Sequence, residues 1–154
     1  MQDLPKPLQE IYVKLAKYCA YQERCTHEIH EYLKKYGLSK EDEYILTQKL
    51  EQDKFLDDKR FAVQFAKGKF HLKKWGKIKI RYELRQKYLS EEHIQNALEH
   101  IPDEEYYAVL TTLIEKSGYD TKNYTQKAKL LRYLQGKGYE YDEIRQVLQN
   151  IDED

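Results

Sequence analysis

The stretches KIKIRYELRQKYLS (Lys77–Ser90) and AKLLRYLQGKGYEYDEIRQVLQNI (Ala128–Ile151) decide the fold, because the second repeats the first. Continuing the first as far as Ile101, the residues Ile80, Leu84, Lys87, Leu89, Ile94, Leu98 and Ile101 fall on Leu130, Leu134, Lys137, Tyr139, Ile144, Leu148 and Ile151, each 50 positions later. A third stretch, EIHEYLKKYGLS (Glu28–Ser39), sets Ile29, Leu33, Leu38 and Ser39 at 51 positions before Ile80, Leu84, Leu89 and Ser90. The seven matches at 50 positions, all but Lys87 apolar, mark a structural repeat. The chain therefore reads as three diverged copies of one unit, covering 1–54, 55–101 and 102–154.

Each copy reads as three helices. Ile94, Leu98 and Ile101 recur at i, i+4 and i+7, and Phe61 with Phe65 at i, i+4, which is helical spacing. No β-branched run alternates long enough to form a strand. Start and stop signals cluster between these patterns. Gly37-Leu38-Ser39 ends one helix, and Ser39 can cap the next with Asp42 three residues on. Asp57 or Asp58 can cap the helix holding Phe61, Ser90 can cap another, and Pro102 suits a first turn. The expected helices are 8–21, 24–36, 40–53, 59–72, 76–87, 91–100, 103–116, 124–136 and 141–150. Short loops make consecutive helices neighbours, and units this small need stacking to complete their cores. The expected fold is all-α: three tandem three-helix units in an elongated, curved array.

Composition agrees with a folded but very polar chain of 154 residues, 40% hydrophobic and 35% charged. Its 15 tyrosines separate it from disordered polar tails, which rarely carry so many rings. No window approaches the roughly 18 uncharged apolar residues of a membrane span. The opening MQDLPKPLQEIYVKL lacks the pattern of a signal peptide. Cys19 and Cys25 do not form a disulfide framework for a chain this long. The expectation is a soluble cytoplasmic protein with no membrane partner.

The formal net charge of zero hides strong polarity. Lys67–Lys87 carries nine Lys and Arg against the single acid Glu83. Acidic blocks flank it: seven acids against three bases in Lys40–Asp58, and six acids with no Lys or Arg in Ser90–Glu105. The tail Glu140–Asp154 adds six acids against Arg145 alone. On a helical wheel Ile80 and Leu84 face the core, with Tyr88 at its edge, while Lys77, Arg81 and Arg85 form a neighbouring stripe. Like charges at that spacing cost a few tenths of a kcal/mol per pair. Such a stripe suits an anionic contact, either nucleic-acid phosphate or an acidic protein surface. Phosphate contacts would weaken steeply with salt. Ile78 and Tyr82 lie beyond the stripe, facing either the next unit or a partner.

Signals of catalysis are thin. Asp57 and Asp58 precede an apolar-periodic helix, where capping and the helix dipole account for them. Cys19, Cys25, His27 and His30 match no standard zinc spacing. There is no phosphate-cradling glycine loop and no nucleophile elbow. Trp75 fits the edge of a core better than a base-stacking platform. The expectation is a non-enzyme with no metal and no cofactor.

Phe55–Ser90, FLDDKRFAVQFAKGKFHLKKWGKIKIRYELRQKYLS, resembles the RecX family of bacterial recombination regulators. The resemblance rests on Leu56-Asp57-Asp58, then Arg60-Phe61-Ala62, Gly76, Ile80-Arg81, Glu83-Leu84-Arg85, Lys87 and Leu89-Ser90. Three departures stand out: Lys77 where the family has Pro, Tyr88 where it has Gly, and Cys25 where the first unit often has Ser. The resemblance implies a protein that binds the RecA–DNA filament, lies along its groove, and depresses ATP hydrolysis and strand exchange; a monomer is expected. It implies a place in DNA repair, homologous recombination and the SOS response, and only weak contact with single-stranded or duplex DNA alone. The motif carries over Lys79, Arg81, Arg85 and Lys87 as RecA or DNA contacts; charge and wheel position add Lys73, Lys74 and Lys77. Two other readings stay open. One is a helical nucleic-acid-binding protein that uses 59–88 as a helix-turn-helix-like reader without RecA. The other is a helical-repeat adaptor for a peptide.

Overall fold

A computed structural model describes residues 4–153. Met1–Asp3 of the opening stretch and Asp154 of the acidic tail lie outside them. The described residues form nine α-helices: α1 (Lys6–Tyr21), α2 (Thr26–Leu33), α3 (Lys40–Gln52), α4 (Asp58–Lys73), α5 (Lys77–Gln86), α6 (Glu91–Glu99), α7 (Asp103–Lys116), α8 (Tyr124–Lys137) and α9 (Tyr141–Glu153). There are no strands among them. The fold is all-helical, and every helix starts within two residues of its expected place. Two ends differ. The second expected helix stops at Leu33 and tightens into a 3₁₀ turn over Lys34–Tyr36, delivering the chain to Gly37 at φ 59°. The last helix runs on to Glu153, carrying Ile151 against the core.

Capping explains the boundaries. Ser39 accepts a hydrogen bond from the Asp42 amide, Ser90 from that of His93, and Asn123 from that of Gln126. Each such cap is worth about 1 kcal/mol. The two adjacent carboxylates divide the work. Asp57 caps α4 by accepting from the Arg60 amide at 3.0 Å, whereas Asp58 accepts from the Thr26 amide at 2.8 Å and ties α4 to α2.

The apolar stripes bury into two separate cores. Leu8, Leu15, Ile29, Leu33, Leu46, Leu50 and Leu56 pack among α1–α3. The other core is continuous across α4–α9, from Phe61 and Ile80 to Tyr106, Leu134 and Ile144. Cys25, from the chain ahead of α2, belongs to this second core, and burial pushes its thiol up to about 11. The junction between the cores is largely polar. Besides Asp58–Thr26, Arg60 forks onto Glu23 and Lys87 pairs with Glu28 at 3.1 Å. The chain exposes 10086 Å², more than the about 8,300 Å² of a compact monomer of this length. That excess is the surface signature of an extended row. Among the described residues no helix is long and apolar enough to cross a membrane.

Candidate functional site

The site is built on the start of α5, and glycine makes that start possible. Gly76 donates its amide to the Lys137 carbonyl at 2.7 Å, and Ile78 donates to the Gly138 carbonyl at 3.0 Å. A Cβ on Gly76 would lie 2.3 Å from the Gly138 carbonyl carbon and oxygen, so only glycine permits this approach. Gly138, at φ 105°, sits close against the Cβ of Lys79. The Lys77 amide donates to the Tyr106 hydroxyl at 3.0 Å. Three amides at the head of α5, which a helix leaves without internal partners, are thus held by the α8–α9 turn and α7.

Behind this junction lies a buried polar chain. Tyr106 is fully buried, with its ring against Phe70 and Tyr139. Its hydroxyl donates to Glu143 Oε1 at 3.0 Å, which also accepts the Glu140 amide at 2.9 Å. Burial raises the Glu143 carboxyl above its ordinary range, and these hydrogen bonds only partly oppose it. Tyr139 donates its hydroxyl to the Lys74 carbonyl at 2.8 Å, fixing the end of α4. Burial raises the Tyr139 and Tyr106 phenols as well, so both stay protonated.

The expected stripe of free charge is partly neutralised inside the molecule. Arg85 forks onto Glu91 at 2.6 and 3.1 Å. Lys87 turns to Glu28 of α2, and Lys77 to Asp103 at 3.5 Å. Arg81 is half-buried and has no ion-pair partner within 4.0 Å among the described residues. It lines a polar cleft of about 460 Å³ between α5 and the start of α7, together with Lys77, Gln95 and Asp103. Ile78 and Tyr82 are both exposed.

The remaining candidates gather around Trp75. Lys79 Nζ lies 4.7 Å from the indole centroid and Lys69 Nζ 5.1 Å from it. Trp75 itself is half-buried and meets Phe65 edge-on at 6.4 Å. Its ring is thus a platform for ammonium groups at the edge of the core, in a geometry that favours cations. Lys73 and Lys74 close α4, both exposed. Lys137 reaches across from α8 to donate to the Lys73 carbonyl at 2.8 Å. Burial, and after it Lys79 and Lys74, hold the Lys137 ammonium below its ordinary range. That repulsion marks a concentration of positive charge with no carboxylate within 4.0 Å of these lysines among the described residues. Lys69 and Lys137 were not among the expected contacts. Lys137 carried a signal, since it occupies in the third repeat the place of Lys87 in the second, but only the folded turn brings it beside Lys79.

An all-helical chain of repeated three-helix domains, with a lysine cluster where the second meets the third, defines the class of this molecule. Residues 57–98 match the second three-helix domain of RecX, and residues 103–148 its third three-helix domain. The chain belongs to the RecX family. Regulatory protein RecX of Bacillus cytotoxicus is 30% identical over 96% of this chain and 56% of that protein. The protein of the same name from Lactobacillus gasseri is 32% identical over 88% of this chain and 51% of that one. The chain thus spans about half the length of these curated relatives. The crystal structure of RecX from Lactobacillus salivarius shares the fold at TM-score 0.85 and 22% identity, covering 97% of this chain and 99% of that one. A further crystal structure of regulatory protein RecX matches at TM-score 0.78 and 21% identity, over 91% and 72% of the two chains. The named relatives are regulatory proteins.

Proposed function

We propose that this protein regulates RecA by binding the RecA–DNA filament and restraining its ATP hydrolysis and strand exchange, without catalytic activity of its own. The observation that supports this reading is the positive surface where the second domain meets the third: Lys73, Lys74 and Lys79, joined by Lys69 and Lys137, with Arg81 in the neighbouring cleft. A filament presents acidic protein and phosphate side by side, and clustered ammonium groups suit both. Among the expected contacts, Lys77, Arg85 and Lys87 have carboxylate partners within the chain. They therefore contribute mainly to holding the surface in shape, while Lys73, Lys74, Lys79 and Arg81 make the contacts. The units 1–54, 55–101 and 102–154 act as one row along the filament, as a cytoplasmic monomer.

The test is cosedimentation with filaments of the same organism's RecA assembled on single-stranded DNA. The natural protein is expected in the pellet, and a Lys73→Glu/Lys79→Glu variant in the supernatant at matched concentration. Pelleting with bare DNA to the same extent as with filaments would instead favour the reader that acts without RecA. Absence from both pellets would overturn the proposal.

A further inference from the structure

Two clefts on the third domain, of about 420 and 260 Å³, share Lys74, Thr112 and Leu113 and so form one groove along α7. Half-buried Val109 and Leu113 make its floor, and Tyr119 and Tyr133 close one side, 37% and 45% exposed. The helical face from Glu105 to Lys116 that lines it is three turns long, about 18 Å.

The charges around the groove are predominantly positive. Lys74 and Lys116 stand on its rim, and neither has a carboxylate within 4.0 Å among the described residues. The acid lining it, Glu105, is occupied by His71 at 2.6 Å. Past Tyr133 the positive surface continues, with Lys137 Nζ 5.8 Å from that ring and bonded to the Lys73 carbonyl. An aliphatic floor takes apolar side chains at helical spacing, and the ammonium rim takes carboxylates. A nucleic-acid strand would meet few phosphate partners over this floor.

We propose that the α7 groove docks an acidic helical segment of a partner protein, anchored by apolar residues on one face. This goes beyond the reading of RecA regulation and stands or falls separately from it. The probe is a fluorescein-labelled peptide of about 18 residues, with Leu at i, i+3, i+4 and i+7 spacing and Glu elsewhere. It is compared with the same composition scrambled, by fluorescence anisotropy against the full chain. The patterned peptide is expected to bind at least about tenfold tighter than the scrambled one. A Thr112→Glu/Lys116→Glu variant, altered at two exposed positions, should lose at least about tenfold of that affinity. A Lys14→Glu/Lys17→Glu variant carries a comparable charge change on exposed positions of α1 and should lose little. Equal binding of both peptides, or equal loss in both variants, would overturn the proposal. So would a single-stranded oligonucleotide whose binding, unlike the peptide's, depends on Thr112 and Lys116.

Discussion

Gly76 and Gly138 show how much a single hydrogen atom in place of a methyl can decide. Their backbones meet so closely that a methyl group on Gly76 would overlap the Gly138 carbonyl. Gly76→Ala is therefore expected to destabilise the chain by about 2 kcal/mol or more, read as a lower urea midpoint; an unchanged midpoint would mean that the junction is loose. Tyr88 presents the opposite case. It holds φ 61° at the place where the other repeats have Gly37 at 59° and Gly138 at 105°. Its side chain is 79% exposed, with a tilted contact to His27. Tyr88→Gly should raise stability by about 0.5–1 kcal/mol, since only the tyrosine strains this backbone; a fall would assign the ring a larger share in joining the first two domains. The departure at Lys77 also has a physical correlate. Its amide serves the Tyr106 hydroxyl, a bond that proline could not make.

At the scale of elements, α5, α7 and α9 are joined through Tyr106 and Glu143, and that junction makes stability depend on pH. The Glu143 carboxyl titrates above its unfolded value because it is half-buried. Its protonated form is therefore favoured by folding, and stability present at pH below the ordinary carboxylate value is lost as pH rises through the raised folded value. Glu143→Gln keeps an acceptor for Tyr106 and removes the titration. Its unfolding free energy should fall less than the natural protein's as pH rises from the ordinary carboxylate value to neutrality; parallel curves would refute this role. The helices themselves were legible in the sequence because they depend on local signals: the spacing of Ile80 and Leu84, and caps at Ser39, Asp57 and Ser90. The candidate site was legible only in part. The density of lysine was visible, but which lysines remain free depends on pairings such as Lys87 with Glu28, 59 residues apart. The approach of Lys137 to Lys79 depends on the glycine contact between α5 and the α8–α9 turn, and no helical wheel can show it.

The whole molecule is a row with unequal joints. The last two domains share one apolar core and a backbone-to-backbone contact, whereas the first has its own core and meets the second largely through ion pairs and single hydrogen bonds. Its large surface follows from this thinness. The neutrality of the chain as a whole says little about contact with a partner, because the acids are concentrated in blocks of the sequence, and those that come near, Asp103 and Glu105, pair with Lys77 and His71. The most direct measurement is the single-strand-DNA-dependent ATPase of the same organism's RecA, followed as this protein is titrated in. The natural protein should depress it, and Lys73→Glu/Lys79→Glu, shown by circular dichroism to be folded, should require at least about tenfold more protein for the same effect. Undiminished hydrolysis at a large excess of the natural protein would contradict the account.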